Sequence, residues 1–93
     1  MDNFMNILYS SKFIRNYKKL PNKIKNLTEE KENIFRQNPF DKKLKTHKLS
    51  GKFRKKIEKY WSFSVDHKYR IIFRFTNKTT VRFYLIGTHR VYR

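Results

Sequence analysis

The C-terminal third of the chain carries the residues whose types and spacing are best suited to chemistry. Arginines alternate with apolar and aromatic residues in two neighbouring segments, 69–75 and 81–86, and a Gly-Thr-His sequence and a tyrosine follow. Strands with this pattern bury one face and present their arginines on the other. The planar fork of arginine suits phosphate, and His89 and Tyr92 follow where they could act on a bound group.

Composition makes a polyanion the expected partner. The 93 residues include 24 lysines and arginines against 7 aspartates and glutamates, a formal charge of +17. This excess goes beyond what solubility requires, and repulsion among the charges costs stability when no anionic partner is bound. The chain length predicts a single domain over residues 1–93.

Nothing in the sequence indicates an exported, membrane-bound or metal-dependent protein. Cysteine is absent, which excludes disulfides and thiolate metal sites, and three scattered histidines do not form a metal-ligand motif. The N-terminus lacks the basic start and apolar run of an export signal, and no segment reaches the ~18 apolar residues of a membrane span. We therefore predict a cytoplasmic protein with no cofactor and no membrane contact.

Two amphipathic helices are predicted after a short first strand over residues 4–9. Ser10 or Ser11 can cap the first helix, Pro21 suits the first turn of the second helix, and Asn38 ends the second helix because a proline follows it. The apolar stripes that predict these helices are Phe13, Tyr17 and Leu20, then Ile24, Leu27, Ile34 and Phe35.

The second half of the chain is predicted to form a basic loop over residues 42–59 and then three strands. Short connections make the three strands an antiparallel meander, and the helices cover one face. In the last strand, strict alternation puts Val81, Phe83 and Leu85 on the buried face and Arg82 and Tyr84 on the other. The predicted fold class is therefore α+β, with the order β-α-α-β-β-β and two helices packed on one face of a mainly antiparallel, twisted sheet.

The charge is concentrated in the predicted loop and sheet. Residues 1–32 have a balance of +3, and residues 33–93 have a balance of +14. A helix-turn-helix protein would place its second helix against DNA, but here that helix carries three glutamates. A basic sheet edged with tyrosines suits single-stranded nucleic acid better, although a merely solvated lysine-rich surface is an alternative for the lysines. The candidate RNA-binding residues are Lys45, Lys48, Lys52, Arg54, Lys55, Lys56, Arg74, Arg82, Tyr84 and Arg90.

Several segments together resemble a known family. They are Leu44-Lys45-Thr46-His47-Lys48-Leu49-Ser50-Gly51, the Tyr69-Arg70-Ile71-Ile72-Phe73 strand and the Gly87-Thr88-His89 turn. Their order and spacing resemble the RelE/ParE superfamily of type II toxins, in particular its YoeB-like and YafQ-like messenger-RNA interferases. The resemblance covers nearly the whole chain.

The resemblance implies a reaction and a role for individual residues. The reaction is attack of an RNA 2′-hydroxyl on the adjacent phosphate, giving a 2′,3′-cyclic phosphate, usually on messenger RNA in the ribosome. Arg70 would hold the scissile phosphate, His89 would act as general acid or base, Tyr92 would orient the substrate, and His47 would contribute to activity. An acidic antitoxin would silence the toxin, and the free toxin would be a monomer.

The identity of the general base is open at the level of the sequence. A glutamate used by YoeB-like toxins is replaced here by lysine near residues 42–43, and a strand histidine of YafQ-like toxins is replaced by Ser64. His89, His47 and Asp66 are the candidates. Two other functions compatible with this fold are a ParE-like gyrase inhibitor that cleaves nothing and an inactive module that binds RNA or the ribosome.

Overall fold

The computed structural model describes residues 4–49 and 60–88, which form two helices and five strands in the order β1-α1-α2-β2-β3-β4-β5. The helices are α1 (Ser11–Lys18) and α2 (Asn22–Gln37), and a short 3-10 turn covers Lys42–Leu44. The strands are β1 (Asn6–Tyr9), β2 (His47–Lys48), β3 (Trp61–Ser64), β4 (Arg70–Phe75) and β5 (Thr80–Gly87). The predicted α+β class is confirmed.

The capping residues explain where the helices begin and where α2 ends. The Ser10 side chain caps α1 by accepting a 2.9 Å hydrogen bond from the Phe13 amide, which satisfies one of the unpaired donors of the first turn. Pro21 stands just before α2 rather than in its first turn, and Asn38, which follows the end of α2, is extended, as expected before a proline. All seven predicted apolar stripe residues belong to the core or pack against it.

The sheet has the strand order β1-β5-β4-β3-β2, and only the β1–β5 pair among these strands is parallel. Both helices contribute to the core, which lies on one face of the sheet. Phe35 of α2 is fully buried, and its ring centroid lies 4.9 Å from that of Phe63, 4.9 Å from that of Phe73 and 5.3 Å from that of Phe83. This aromatic cluster joins α2 to three adjacent strands.

A β-bulge in β5 changes which residues face the core. Ile72 pairs with Leu85, but the next residue, Phe73, pairs with Phe83, so Tyr84 is the extra residue. A bulge shifts the inward and outward alternation by one residue. The prediction that Leu85 shares a face with Phe83 is therefore wrong: Ile86 takes the core position, and Leu85 lies beside Ile72 on the opposite face.

The segment predicted as a basic loop contains a strand. His47 and Lys48 pair antiparallel with Ser62 and Trp61, which adds β2 to the edge of the sheet. His47 is thus the first of four residues that pair across adjacent strands on the face opposite the helices. The other three, Ser62, Ile72 and Leu85, are buried. No helix in the described ranges has the length and apolar character needed to cross a bilayer.

Candidate functional site

A cleft of 520 Å³ opens at the end of the sheet where β2, β3 and β4 meet. Its walls come from the 3-10 turn and β2, from the turn between β3 and β4, from the start of β4 and from α2. The lining residues are Lys31, Lys43, Lys45, His47, Ser64, Val65, Asp66, His67 and Arg70. Three lysines, one arginine and two histidines face a single carboxylate, so the cleft favours an anion.

Arg70 begins β4 and is half-buried at this cleft. Its register partners are Ser64 on β3 and Gly87 on β5. The guanidinium Nη1 donates to Ser64 Oγ at 3.4 Å, and no carboxylate among residues 4–49 and 60–88 pairs with it. The other donors of the guanidinium face the cleft without a carboxylate among its described ion pairs, and a planar guanidinium of this kind can hold a phosphate.

His47 faces the same cleft from β2, with one ring nitrogen held by the backbone. Its Nδ1 lies 3.0 Å from the carbonyl oxygen of Lys45. A carbonyl oxygen only accepts, so Nδ1 must carry a proton and donate it. In the neutral ring the lone pair is then on Nε2, which makes Nε2 the atom able to take a proton from a substrate.

The backbone at Lys45 is unusual. It adopts a left-handed conformation, with φ of 55° and ψ of 41°, and it is the only non-glycine residue in the described chain with positive φ. Such a conformation costs a residue with a side chain about 1–2 kcal/mol. It also ends the 3-10 turn and places the Lys45 carbonyl within hydrogen-bond distance of His47.

Asp66, the third candidate base, already accepts backbone hydrogen bonds in the turn between β3 and β4. Its Oδ1 accepts hydrogen bonds from the amides of Lys68 at 2.8 Å and Tyr69 at 2.6 Å. Burial acts to raise the pKa of this carboxyl, but the two amide hydrogen bonds and the charges of His67 and Lys68 outweigh it and lower the pKa. A carboxylate stabilised in this way is a weak base.

The structure brings together only some of the predicted site residues. His47, Arg70 and Lys45 share the cleft, whereas Arg74, Arg82 and Tyr84 line a separate pocket. Lys48 lies on the opposite face of β2, paired with Trp61. The remaining predictions, His89 and Tyr92 for catalysis and Lys52, Arg54, Lys55, Lys56 and Arg90 for RNA binding, lie outside the described residues.

Three basic residues of the cleft were not predicted. His67 lies in the turn between β3 and β4, and Lys31 and Lys43 reach the cleft from α2 and the 3-10 turn. For His67 a signal was present, since a turn next to Arg70 must lie at the same end of the sheet. For Lys31 the sequence gave no such signal, because the neighbouring glutamates of α2 argued against an anion-binding role for this part of the helix.

The structural neighbours of this fold are toxins. No protein-family model matches the chain, and no curated protein matches it. The YoeB/ParE toxin from Agrobacterium tumefaciens is similar over 91% of this chain and 99% of its own, with 15% identity and a TM-score of 0.74. YafQ in the E. coli DinJ–YafQ toxin–antitoxin complex is similar over 94% of both chains, with 23% identity and a TM-score of 0.71. The archaeal RelE–RelB complex from Pyrococcus horikoshii is similar over 94% of this chain and 97% of the matched chain, with 13% identity and a TM-score of 0.72.

The fold of this chain is therefore that of the RelE/ParE superfamily. The neighbours include both YoeB and YafQ structures, which confirms the resemblance predicted from the sequence.

Proposed function

We propose that this protein is the toxin of a type II toxin–antitoxin system and that it cleaves messenger RNA on the ribosome without a metal ion. The observation that supports the proposal is the shared cleft: Arg70 and His47 line the same basic cavity, and the Nδ1 atom of His47 is held by the Lys45 carbonyl. A gyrase inhibitor that cleaves nothing would have no use for this pair.

Binding is the first task of the cleft. RNA supplies its own nucleophile, so the protein needs to position the 2′-hydroxyl in line with the adjacent phosphate and to stabilise the charge that develops there. The Arg70 guanidinium forms charge-assisted hydrogen bonds to the phosphate oxygens. Lys31, Lys43 and Lys45 around it raise the local concentration of the polyanion.

Proton transfer is the second task. In our proposal His47 Nε2 takes the proton from the attacking 2′-hydroxyl as the new phosphorus–oxygen bond forms. The 5′-oxygen leaves as the old bond breaks, and it receives a proton from a general acid, for which His89 stays the predicted residue. The products are a 2′,3′-cyclic phosphate and a 5′-hydroxyl, and a single proton-transfer group contributes about 10²–10⁴-fold to such a rate.

The partners follow from charge and from the neighbours. DinJ–YafQ is a toxin–antitoxin complex, and by analogy this chain is expected to bind an acidic antitoxin. With a formal charge of +17, the toxin gains strongly from an acidic partner and from the phosphates of ribosomal RNA. The free toxin is proposed to be a cytoplasmic monomer of one domain.

Controlled expression in a bacterial host tests this function. Expression of the chain alone should arrest growth and produce messenger-RNA fragments with 2′,3′-cyclic phosphate ends. Arg70→Ala and His47→Ala should relieve the arrest, while Lys78→Ala, in the exposed turn between β4 and β5, should not. Growth arrest with DNA damage and intact messenger RNA would instead indicate gyrase inhibition.

A further inference from the structure

Two arginines face each other on the sheet away from the cleft. Arg74 on β4 and Arg82 on β5 are direct cross-strand partners, and both are exposed. No carboxylate within the described ranges forms an ion pair with either side chain. Like charges in directly opposite positions of an antiparallel pair are destabilising, so this arrangement costs the free protein stability.

The arginine pair lines a pocket of 340 Å³. Tyr60 and Tyr84 contribute to its walls, with ring centroids 5.5 Å apart. The ammonium of Lys12 at the start of α1 lies 5.5 Å from the Tyr84 ring centroid and adds a third positive charge near the pocket. None of the residues that line the pocket is acidic.

The pocket lies on the same face of the sheet as Arg70. Arg70 and Arg74 are four residues apart on β4, and four residues of a strand span about 13 Å. The register confirms the common face, because Arg70, Ile72 and Arg74 alternate with the core residues Ile71 and Phe73. At ~3.4 Å per stacked nucleotide, that distance corresponds to about four nucleotides of one strand, and to fewer when the strand is extended.

We infer that the pocket of Arg74 and Arg82 binds a second backbone phosphate of the RNA strand whose scissile phosphate occupies the Arg70 cleft. The inference rests on the proposed function and adds to it a minimum length of substrate. One phosphate between two guanidinium groups neutralises the like-charge pair and accepts hydrogen bonds from both. The stability lost in the free protein is thereby recovered in the complex.

An acidic peptide is the other polyanion that this pocket could accept. The structure favours RNA for two reasons. The tyrosines in the walls are typical of nucleotide sites, and the shared face with Arg70 lets one continuous strand reach both positions. Arginine-dependent binding of an acidic peptide in place of RNA would therefore contradict the inference.

The experiment measures binding of RNA strands whose 2′-hydroxyls carry methyl groups, which prevents cleavage. An eight-nucleotide strand can reach both sites, whereas a dinucleotide reaches only one. The double variant Arg74→Gln/Arg82→Gln is compared with Lys19→Gln/Lys23→Gln, which removes the same charge from exposed positions at the end of α1 and the start of α2. Affinity for the longer strand is measured by fluorescence anisotropy over a range of salt concentrations, and dinucleotide binding by NMR shifts.

The expected result is a loss of about tenfold in affinity for the eight-nucleotide strand in the arginine double variant and unchanged dinucleotide binding at the Arg70 cleft, monitored by the NMR shifts of the cleft residues. The slope of log affinity against log salt should become shallower by about 0.7, the value for one phosphate of a single strand. The single variant Arg82→Gln should melt at a higher temperature than the wild type, because the like-charge pair is removed.

Two results would overturn the inference. One is an affinity and salt slope equal to those of the lysine control. The other is a loss of binding to a poly-glutamate peptide with RNA binding intact. A third result separates the two proposals. If the wild type produces no cyclic phosphate from cleavable RNA, but its affinity for the longer strand still depends on Arg74 and Arg82, the cleavage proposal fails and the second phosphate site stands.

Discussion

The Nδ1 atom of His47 lies 3.0 Å from the carbonyl oxygen of Lys45, two residues earlier in the chain. This contact determines which ring nitrogen carries the proton in the neutral histidine, and it leaves the lone pair on Nε2, the atom that we propose as the base. Of the two candidate bases within the described chain, His47 is thus better suited than Asp66, whose carboxylate is held by two backbone amides.

The tautomer of His47 can be measured directly. We expect the neutral ring to be protonated at Nδ1, because the Lys45 carbonyl accepts that proton. Nitrogen-15 NMR of the neutral imidazole should show the Nδ1–H form. A predominant Nε2–H form would remove the argument for Nε2 as the base.

Lys45→Gly is expected to stabilise the protein relative to Lys45→Ala. Both variants lose the same charge, but only glycine adopts the left-handed conformation at φ of 55° without steric cost. The difference should be about 1 kcal/mol in the free energy of unfolding by urea. Lys43→Gly against Lys43→Ala is the matched control in the right-handed 3-10 turn, where glycine should be the less stable residue.

Asp66→Ala should lower the free energy of unfolding by about 1–2 kcal/mol at pH 7, because two backbone amides lose their acceptor. The pKa of Asp66 is lower in the folded state than in the unfolded chain. Its contribution is therefore fully present above the unfolded pKa of about 3.9 and is lost as the pH falls through the folded pKa. The difference between wild type and variant should shrink in acid.

Glu30→Ala is the control for Asp66→Ala. It removes an exposed carboxylate from α2, and its effect should stay within about 0.5 kcal/mol at any pH. An equal effect of both variants would mean that net charge, rather than the turn at Asp66, sets the acid sensitivity.

Phe35→Ala should be the most destabilising of these substitutions. Phe35 is 0% exposed and contacts rings of β3, β4 and β5, so its removal leaves a cavity and costs about 3–5 kcal/mol. Phe40, which is 55% exposed, gives the matched control, and Phe40→Ala should cost much less. Thermal or urea unfolding measures both, and equal losses would contradict the described core.

The fold could be predicted from the sequence wherever a local rule determined the structure. Ser10, the proline after Asn38 and the helical stripes each correspond to one physical cause, and all appear where expected. The position of Leu85 could not be predicted, because the bulge at Tyr84 depends on pairing with β4 and no glycine or proline lies next to Tyr84 to mark it. The strand at His47 and Lys48 likewise exists only through pairing with β3.

The site was predictable by residue type but not by arrangement. Arg70 and His47 were candidates from their types and from the resemblance, and the pairing of β2 with β3 explains how residues so far apart in sequence meet. The division of the basic residues into two pockets depends on tertiary structure. Arg74 and Arg82 become partners only in the register of β4 and β5.

The proposed active site is tested most directly by the cleavage of ribosome-bound messenger RNA by purified protein. Under single-turnover conditions, the wild type should yield fragments with 2′,3′-cyclic phosphate ends, and Arg70→Lys should be slower by about 10²-fold or more, because lysine lacks the planar fork that holds two phosphate oxygens. Cleavage by Arg70→Lys and Arg70→Ala at the wild-type rate would contradict a phosphate-binding role for Arg70 and with it the proposed active site.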